Sequence, residues 1–275
     1  MKPFLKVKDF SVSGESFQLM HDEQLEVLVT RPQPDNLNSY YQSDAYISHT
    51  DANKTLLDKM YQAVKKFSLW QKTVLIEKYA NKNKTLLDFG AGTGDFLLAA
   101  KRRKWAVSGV EPSRDARLRS REKRMELSSS LETLSDTKFQ VITLWHVLEH
   151  LPDLENQISD LKGRLENDGT LVIAVPNFKS YDASHYKEFW AAYDVPRHLW
   201  HFSRNGIGRI FAKHEMKVVK TKPMWFDAFY VSLLSEKYKK GRQKFLKGFL
   251  IGLVSNCMGV LTQEYSSIIY IIKKS

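Results

Sequence analysis

Cysteine is nearly absent. The 275 residues include one, Cys257. A single thiol cannot close an intramolecular disulfide and cannot build a multi-cysteine zinc site, which points to a reducing compartment. Long apolar runs are also missing. The most apolar stretch, from Gly248 to Val260, has 13 residues and contains Ser255 and Asn256, whereas a membrane span needs about 18–20. Met1-Lys2-Pro3-Phe4-Leu5-Lys6 runs into charged residues rather than an apolar core, unlike a signal peptide. A soluble, cytoplasmic protein is therefore expected. No internal repeat and no low-complexity linker occurs. Acidic residues are outnumbered, 31 against 42 Lys and Arg, for a net charge of +11. Such an excess raises nucleic acid or a membrane surface as partners. Apolar residues, at 43%, are plentiful enough for a packed core. The length is close to the limit of about 250–300 residues at which single cores stop growing, so one elaborated domain or a domain with a cap is expected.

Periodicity divides the chain. Residues 1–52 read as a small N-terminal cap segment with short strands such as Leu25-Glu26-Val27-Leu28-Val29, closed by the breaker Arg31-Pro32-Gln33-Pro34-Asp35. Residues 53–275 read as the main domain. Leu56, Leu57, Met60, Val64 and Phe67 recur at helical spacing between about Asn53 and Tyr79. Apolar strands then alternate with helices of about ten residues: Thr85–Phe89, Ala106–Val110, Phe139–Leu144 and Leu171–Val175 are the strands. This alternation predicts an α/β fold: a Rossmann-like, doubly wound, mostly parallel seven-stranded sheet with helices on both faces. Met216–Thr221 and Ser266–Lys273 read as later strands, with a helical insertion at about 228–262 between them.

The segment Leu87-Asp88-Phe89-Gly90-Ala91-Gly92-Thr93-Gly94-Asp95 follows a strand and opens a helix, the context in which a glycine loop binds a ligand. The position three after Gly92 is Asp95, so the nicotinamide pattern G-x-G-x-x-G fails and an oxidoreductase becomes the weakest reading. Asp88, at a strand end, repels phosphate and attracts an ammonium or sulfonium group. Glu111, 21 residues past Gly90, ends the next strand, where a carboxylate accepts hydrogen bonds from ribose hydroxyls.

With these residues the chain resembles class I S-adenosylmethionine-dependent methyltransferases. Phe139-Gln140-Val141-Ile142-Thr143-Leu144-Trp145-His146-Val147-Leu148-Glu149-His150-Leu151-Pro152-Asp153 is similar to the fourth-strand motif of the branch that includes quinone-biosynthesis methyltransferases. Gly169–Asn177 is similar to its fifth strand, and Tyr193-Asp194-Val195-Pro196-Arg197-His198-Leu199-Trp200-His201 to a segment of a bacterial subgroup. Two departures stand out. Gln140 occupies a place where the branch usually has aspartate, and the N-terminal cysteine pairs of many members are absent, so no zinc-binding cap is carried over. The resemblance implies S-adenosyl-L-methionine as cofactor. Asp88, Gly90, Ala91, Gly92 and Gly94 would line its methionine part, Glu111 and Pro112 its ribose, and Ser130 and Leu131 its adenine. Trp145 and His146 would close over it.

Methyl transfer to a hydroxyl or amine needs a base, and a neutral imidazole suits that task. His150 and His198 are the candidates; His146 reads rather as a cofactor-packing residue. Tyr193, Arg197 and His201 are the candidate substrate contacts. His198 and His201, three apart, can share one face of a helical turn, yet no third ligand appears at suitable spacing, so no metal site is expected. Residues 178–202 hold eight aromatics, which read either as a wall of the acceptor pocket or as packing. The basic excess is concentrated. Residues 101–125 carry ten Lys and Arg against Glu111, Asp115 and Glu122, and residues 236–248 carry six against Glu236. Apart from Glu111 and Pro112, neither block contains the residues that would hold cofactor or acceptor, so they read as solvated patches, with a membrane surface or protein partner as a lesser role for 236–248. The expectation is a methyltransferase acting on a small-molecule acceptor, foremost at oxygen. The alternatives are an RNA methyltransferase and a non-catalytic cofactor- or protein-binding module of the same fold.

Overall fold

The computed structural model describes residues 1–41, 56–80, 83–134, 137–242 and 244–275. The predicted boundary between residues 52 and 53, and the start of the helix expected from Asn53, lie outside these residues. The backbone divides into two compact units: one of His49–Val147, Glu155–Ile173 and Ile271–Ser275, the other of Met1–Ser48, Leu148–Leu154 and Ala174–Tyr270. Residues 1–41 thus cluster with later segments of the chain.

In the first unit, α1 (Leu56–Glu77) precedes the alternation β4 (Thr85–Phe89), α2 (Asp95–Arg102), β5 (Ala106–Val110), α3 (Arg114–Glu122), β6 (Phe139–Trp145) and α4 (Leu154–Gly163). β4 pairs in parallel with β5 and with β6. Leu86 to Phe89 and Phe139 to Leu144 are buried without interruption, as strands covered on both faces must be. The Ser113 hydroxyl accepts the Ala116 amide and caps α3. Arg103, just past α2, pairs with Glu77 of α1 at 2.7 Å. Gln140 is a buried peg whose Nε2 donates to the Tyr79 carbonyl.

The larger sheet has six strands, in the order β5-β4-β6-β7-β10-β9, where β7 is Leu165–Pro176, β9 Met216–Pro223 and β10 Ser267–Lys274. It is mostly parallel with mixed orientation. The expected seven strands are thus corrected to six. The segment after α3, rich in serine, pairs only once, through the bridge Val110↔Ser128. Serines offer little apolar surface to bury and compete for backbone hydrogen bonds, so the outer strand shrinks to that bridge.

In the second unit, β1 (Lys2–Lys8), β2 (Ser16–Asp22) and β3 (Val27–Arg31) form an antiparallel meander that β8 (Trp200–Phe202) completes, Leu28 opposite His201. Residues 200–202 are therefore strand, not the helical turn expected for His198 and His201. α5 (Tyr181–Tyr186), α6 (Arg204–Lys213), α7 (Trp225–Lys240) and α8 (Phe245–Thr262) follow the same chain. Phe178, Tyr186, Trp190 and Tyr193 pack with Val7, Phe17, Leu19 and Leu28 in one core. Packing, not an open pocket wall, is what these aromatics do.

At the centre of this unit lies Arg197, 1% exposed. Its Nη2 meets Asp9 at 3.0 Å and Asp194 at 2.6 Å, its Nε donates to Asp194, and its Nη1 donates to the Tyr40 carbonyl. Asp9 also accepts the amides of Ser11, Val12 and Ser13. Burial pushes the Asp9 carboxyl up, but Arg197 and the Ser13 and Ser11 amides outweigh it and hold it below the ordinary carboxylate range. Removing one member of such a buried set costs about 3–5 kcal/mol, because the partner stays buried and charged. Arg197→Leu is expected to lose that much in urea unfolding, and the double variant with Asp9→Asn less than the sum of the two. Because the Asp9 pKa is depressed in the fold, its contribution is present at neutral pH and disappears as the pH falls through its native value. Additive losses, or a stability unchanged by Arg197→Leu, would contradict this account.

Candidate functional site

In the first unit, the chain turns sharply at the end of β4. The amides of Gly90 and Ala91 both donate to the Val110 carbonyl, at 2.8 and 2.9 Å. Gly90 has φ +78°, and a Cβ there would lie 2.3 Å from Val147 Cγ2, so only glycine fits. Gly92, at φ +54°, has nothing within 4 Å of where a Cβ would stand; its backbone faces open space. Gly94 leads directly into α2, whose first turn receives no side-chain cap. Asp95, which breaks the nicotinamide pattern, is gripped by Lys65 at 2.8 Å and Lys123 at 2.5 Å. Burial raises its carboxyl, and the two lysines more than reverse that.

Glu111 reaches back over this loop. One carboxylate oxygen accepts the Gly92 amide and the other the Ser113 amide, each at 2.8 Å. A carboxylate accepts about four hydrogen bonds, so capacity remains for two ribose hydroxyls. Pro112 is exposed beside it, with its carbonyl held by Arg117. Ser128 lies next to Glu111 through the bond from the Glu111 amide. Ser130 is half-buried in the following turn, while Leu131 is buried with its carbonyl tied to Arg164.

Asp88 is buried and accepts the Thr143 hydroxyl at 2.6 Å. Burial pushes its carboxyl up to about 7, against the opposing pull of Thr143 and Lys72. Trp145 ends β6 with Lys72 Nζ 4.4 Å from its ring centroid and Phe96 edge-on at 5.5 Å. His146 has φ +57°, a conformation that turns the chain abruptly out of the strand. Open backbone at Gly92, spare acceptor capacity on Glu111 and a buried carboxyl poised to ionise fit a cationic nucleoside. Lys72 was missed from sequence because it sits among the lysines of an amphipathic helix, with no local signal.

The second unit holds the histidine cluster. His150 Nδ1 lies 3.0 Å from the Arg197 carbonyl and 3.0 Å from the Tyr41 hydroxyl. His198 Nδ1 lies 2.8 Å from the Ala192 carbonyl. A carbonyl only accepts, so both rings carry their proton on Nδ1 when neutral, leaving both Nε2 atoms as acceptors. The rings meet edge-on, 4.6 Å apart. Burial, reinforced by His198, pushes His150 down to about 4. Buried Glu149 joins them: it, His150 and His198 bring one ligand-capable atom each within 4.8 Å of the others. That grouping is compact enough to grip a divalent ion. His201, weighed from its spacing to His198, is not part of this group.

His201 belongs to a different arrangement. The Thr30 hydroxyl donates to the His198 carbonyl at 2.6 Å, so it accepts from His201 Nε2 at 3.0 Å. Burial, then His198, holds the His201 imidazole well below its ordinary value. Tyr193 is buried, edge-on to Trp190 and His201. The substrate role expected of Arg197 is corrected: every nitrogen of its guanidinium is occupied by protein groups, leaving none for a ligand.

A sequence model described as a methyltransferase domain matches residues 58–221, more than half of the chain. Among solved structures, the chain is similar to magnesium protoporphyrin IX methyltransferase from Synechocystis PCC 6803 with bound SAH: TM-score 0.57, 13% identity, 86% of this chain and 97% of that one covered. It is also similar to the cyclopropane synthase MmaA2 from Mycobacterium tuberculosis (TM-score 0.54, 13% identity, 86% and 95% covered). A third similar structure is coclaurine N-methyltransferase bound to N-methylheliamine and SAH (TM-score 0.51, 15% identity, 82% and 75% covered). No curated protein matches. These similarities do not single out the quinone-biosynthesis branch.

Asp88 yields a prediction with a definite sign. Its pKa is raised by burial, so ionisation there is costly below about pH 7, and a cationic ligand must displace a proton to bind. Affinity for S-adenosylmethionine is expected to rise between about pH 6 and pH 8 and then level off. Asp88→Asn is expected to bind more weakly with that pH dependence removed. Calorimetry at both pH values checks this; equal pH dependence in the variant would refute the role of Asp88.

Proposed function

The chain belongs to the methyltransferase-domain family and is an S-adenosylmethionine-dependent methyltransferase; on that premise we propose that it methylates a small-molecule acceptor at oxygen. The observation that carries the proposal is the pair of imidazoles with Nδ1–H fixed on backbone carbonyls and Nε2 free to accept a proton. The cofactor supplies an electrophilic methyl group on a positively charged sulfur. Asp88 would offset that charge, Glu111 would hold the ribose, and the open backbone at Gly92 would admit the ligand to close range. Bound there, it would offer that methyl group to an acceptor oxygen, whose hydroxyl proton would pass to a histidine. His198 is the base. His150, held near 4, is too weak an acceptor for that task at neutral pH and serves to position its neighbour.

Two features favour a small molecule over RNA. The basic excess lies in 101–125 and 236–248 rather than around the histidines. The magnesium protoporphyrin IX and coclaurine enzymes are named for small-molecule acceptors. Calorimetry with S-adenosylhomocysteine is expected to show one site per chain, and no binding at hundreds of micromolar would sink the reading. With an acceptor in hand, His198→Gln is expected to lower kcat by about 10²–10⁴-fold with cofactor affinity unchanged, and His150→Gln by less. Activity lost to a chelator and restored by zinc would instead assign Glu149, His150 and His198 to an ion rather than to direct proton transfer.

A further inference from the structure

Helix α8 is built inside out. The residues it buries are Gly248, Gly252, Ser255, Asn256 and Gly259. The residues it exposes are large and apolar: Phe245, Leu246, Phe249, Leu250, Leu253, Val254, Met258, Val260 and Leu261, with Leu246 at 71% and Leu261 at 79%. A helix on the surface of a water-soluble protein shows the opposite arrangement. Its mean hydropathy is 1.6 over 18 residues, and only 28% of it is buried.

The inversion is enforced by packing. A Cβ on Gly248 would stand 2.9 Å from Leu233 Cα, and one on Gly252 2.8 Å from Phe229 Cα. Backbone-close contact with α7 therefore requires glycine on the inner face, and the bulky side chains have only the outer face left. Ser255 donates to Asp182 at 2.6 Å, and Asn256 donates to the Trp225 carbonyl at 2.9 Å. Those bonds lock the rotation of α8, so the apolar face cannot turn inward. Trp225, Phe226 and Tyr230 of α7 are exposed too. Monomeric soluble proteins rarely leave so large a continuous apolar area in water.

Charge indicates what covers it. Lys237, Lys239, Lys240, Arg242 and Lys244 crowd the turn between α7 and α8, with Lys247 paired to Glu236 at 3.1 Å. An apolar helix face flanked by lysines matches the interface of an anionic bilayer, where side chains enter the acyl boundary and ammonium groups meet phosphates. We propose that α8, with the exposed side of α7, docks this enzyme on an anionic membrane surface, the helix lying in the interfacial plane. Spanning is disfavoured, because the inner face of α8 is held by protein: Gly248 and Gly252 lie against the backbone of α7, and Ser255 and Asn256 are bonded to Asp182 and the Trp225 carbonyl. The expectation of two solvated basic patches is thereby revised for residues 236–248. The proposal is independent of the acceptor's identity.

Co-sedimentation of the full chain with phosphatidylcholine vesicles, with and without phosphatidylglycerol, tests it. Binding is expected to the anionic vesicles and to fall steeply with salt. The triple variant Leu246→Glu, Leu253→Glu, Leu261→Glu is expected to lose binding by about tenfold or more while keeping its affinity for S-adenosylhomocysteine, which certifies the fold. Gln at Lys237, Lys239, Lys240 and Lys244 is expected to remove the preference for anionic over neutral vesicles. Failure of the wild-type chain to bind, or undiminished binding by the triple variant, would overturn the proposal. So would a dimer in sedimentation velocity that the triple variant dissolves without any vesicle binding, which would assign the face to a second copy.

Discussion

The second unit is organised around one buried cation. Arg197 gathers Asp9, Ser11 and the Tyr40 carbonyl from the N-terminal segment, and Asp194 from its own loop. A guanidinium buried to this depth is tolerable only when each nitrogen finds an acceptor, so these distant stretches must converge before it can be buried at all. Its backbone carries the constraint further. The Arg197 carbonyl receives His150, and the Asp194 carbonyl receives the His198 amide. The ion network thus fixes the carbonyl that orients the His150 ring and the backbone that carries His198.

The first unit reaches its chemistry by the opposite route. Here the buried charge is a carboxyl whose pKa burial has raised. Asp88 has the Thr143 hydroxyl and the nearby charge of Lys72, not enough to keep it fully ionised. Arg197 is satisfied, rigid and silent; Asp88 is incompletely satisfied and responsive. The two differ in their partners rather than in burial, which they share.

Strands β4 to β6, the glycine loop and Glu111 could be read directly from sequence, because each is a local pattern: an apolar run, a glycine at positive φ, a carboxylate at a strand end. The later strands were found by the same rule. What could not be read was the company of residues far apart in the chain. Arg197 looked like a ligand contact because its partners Asp9 and Tyr40 lie more than 150 residues away. His201 was paired with His198 by spacing, whereas strand pairing with Leu28 and the Thr30 hydroxyl decide its surroundings. Glu149 carries no local signal of a role, since nothing near it in sequence reveals that it comes within 4.8 Å of His198. The helical character of α8 was visible, with its glycines counted against it. Only the fold shows that those glycines are the reason its outer face is apolar.

The two carbonyls that hold the imidazoles have a consequence for proton accounting. With both Nδ1 positions committed, His150 and His198 can gain protons only at Nε2, and a charge on one ring disfavours a charge on the other. For the proposed reaction one open Nε2 is sufficient: the acceptor's proton has to be taken up, whereas the thioether leaves neutral and asks for no proton.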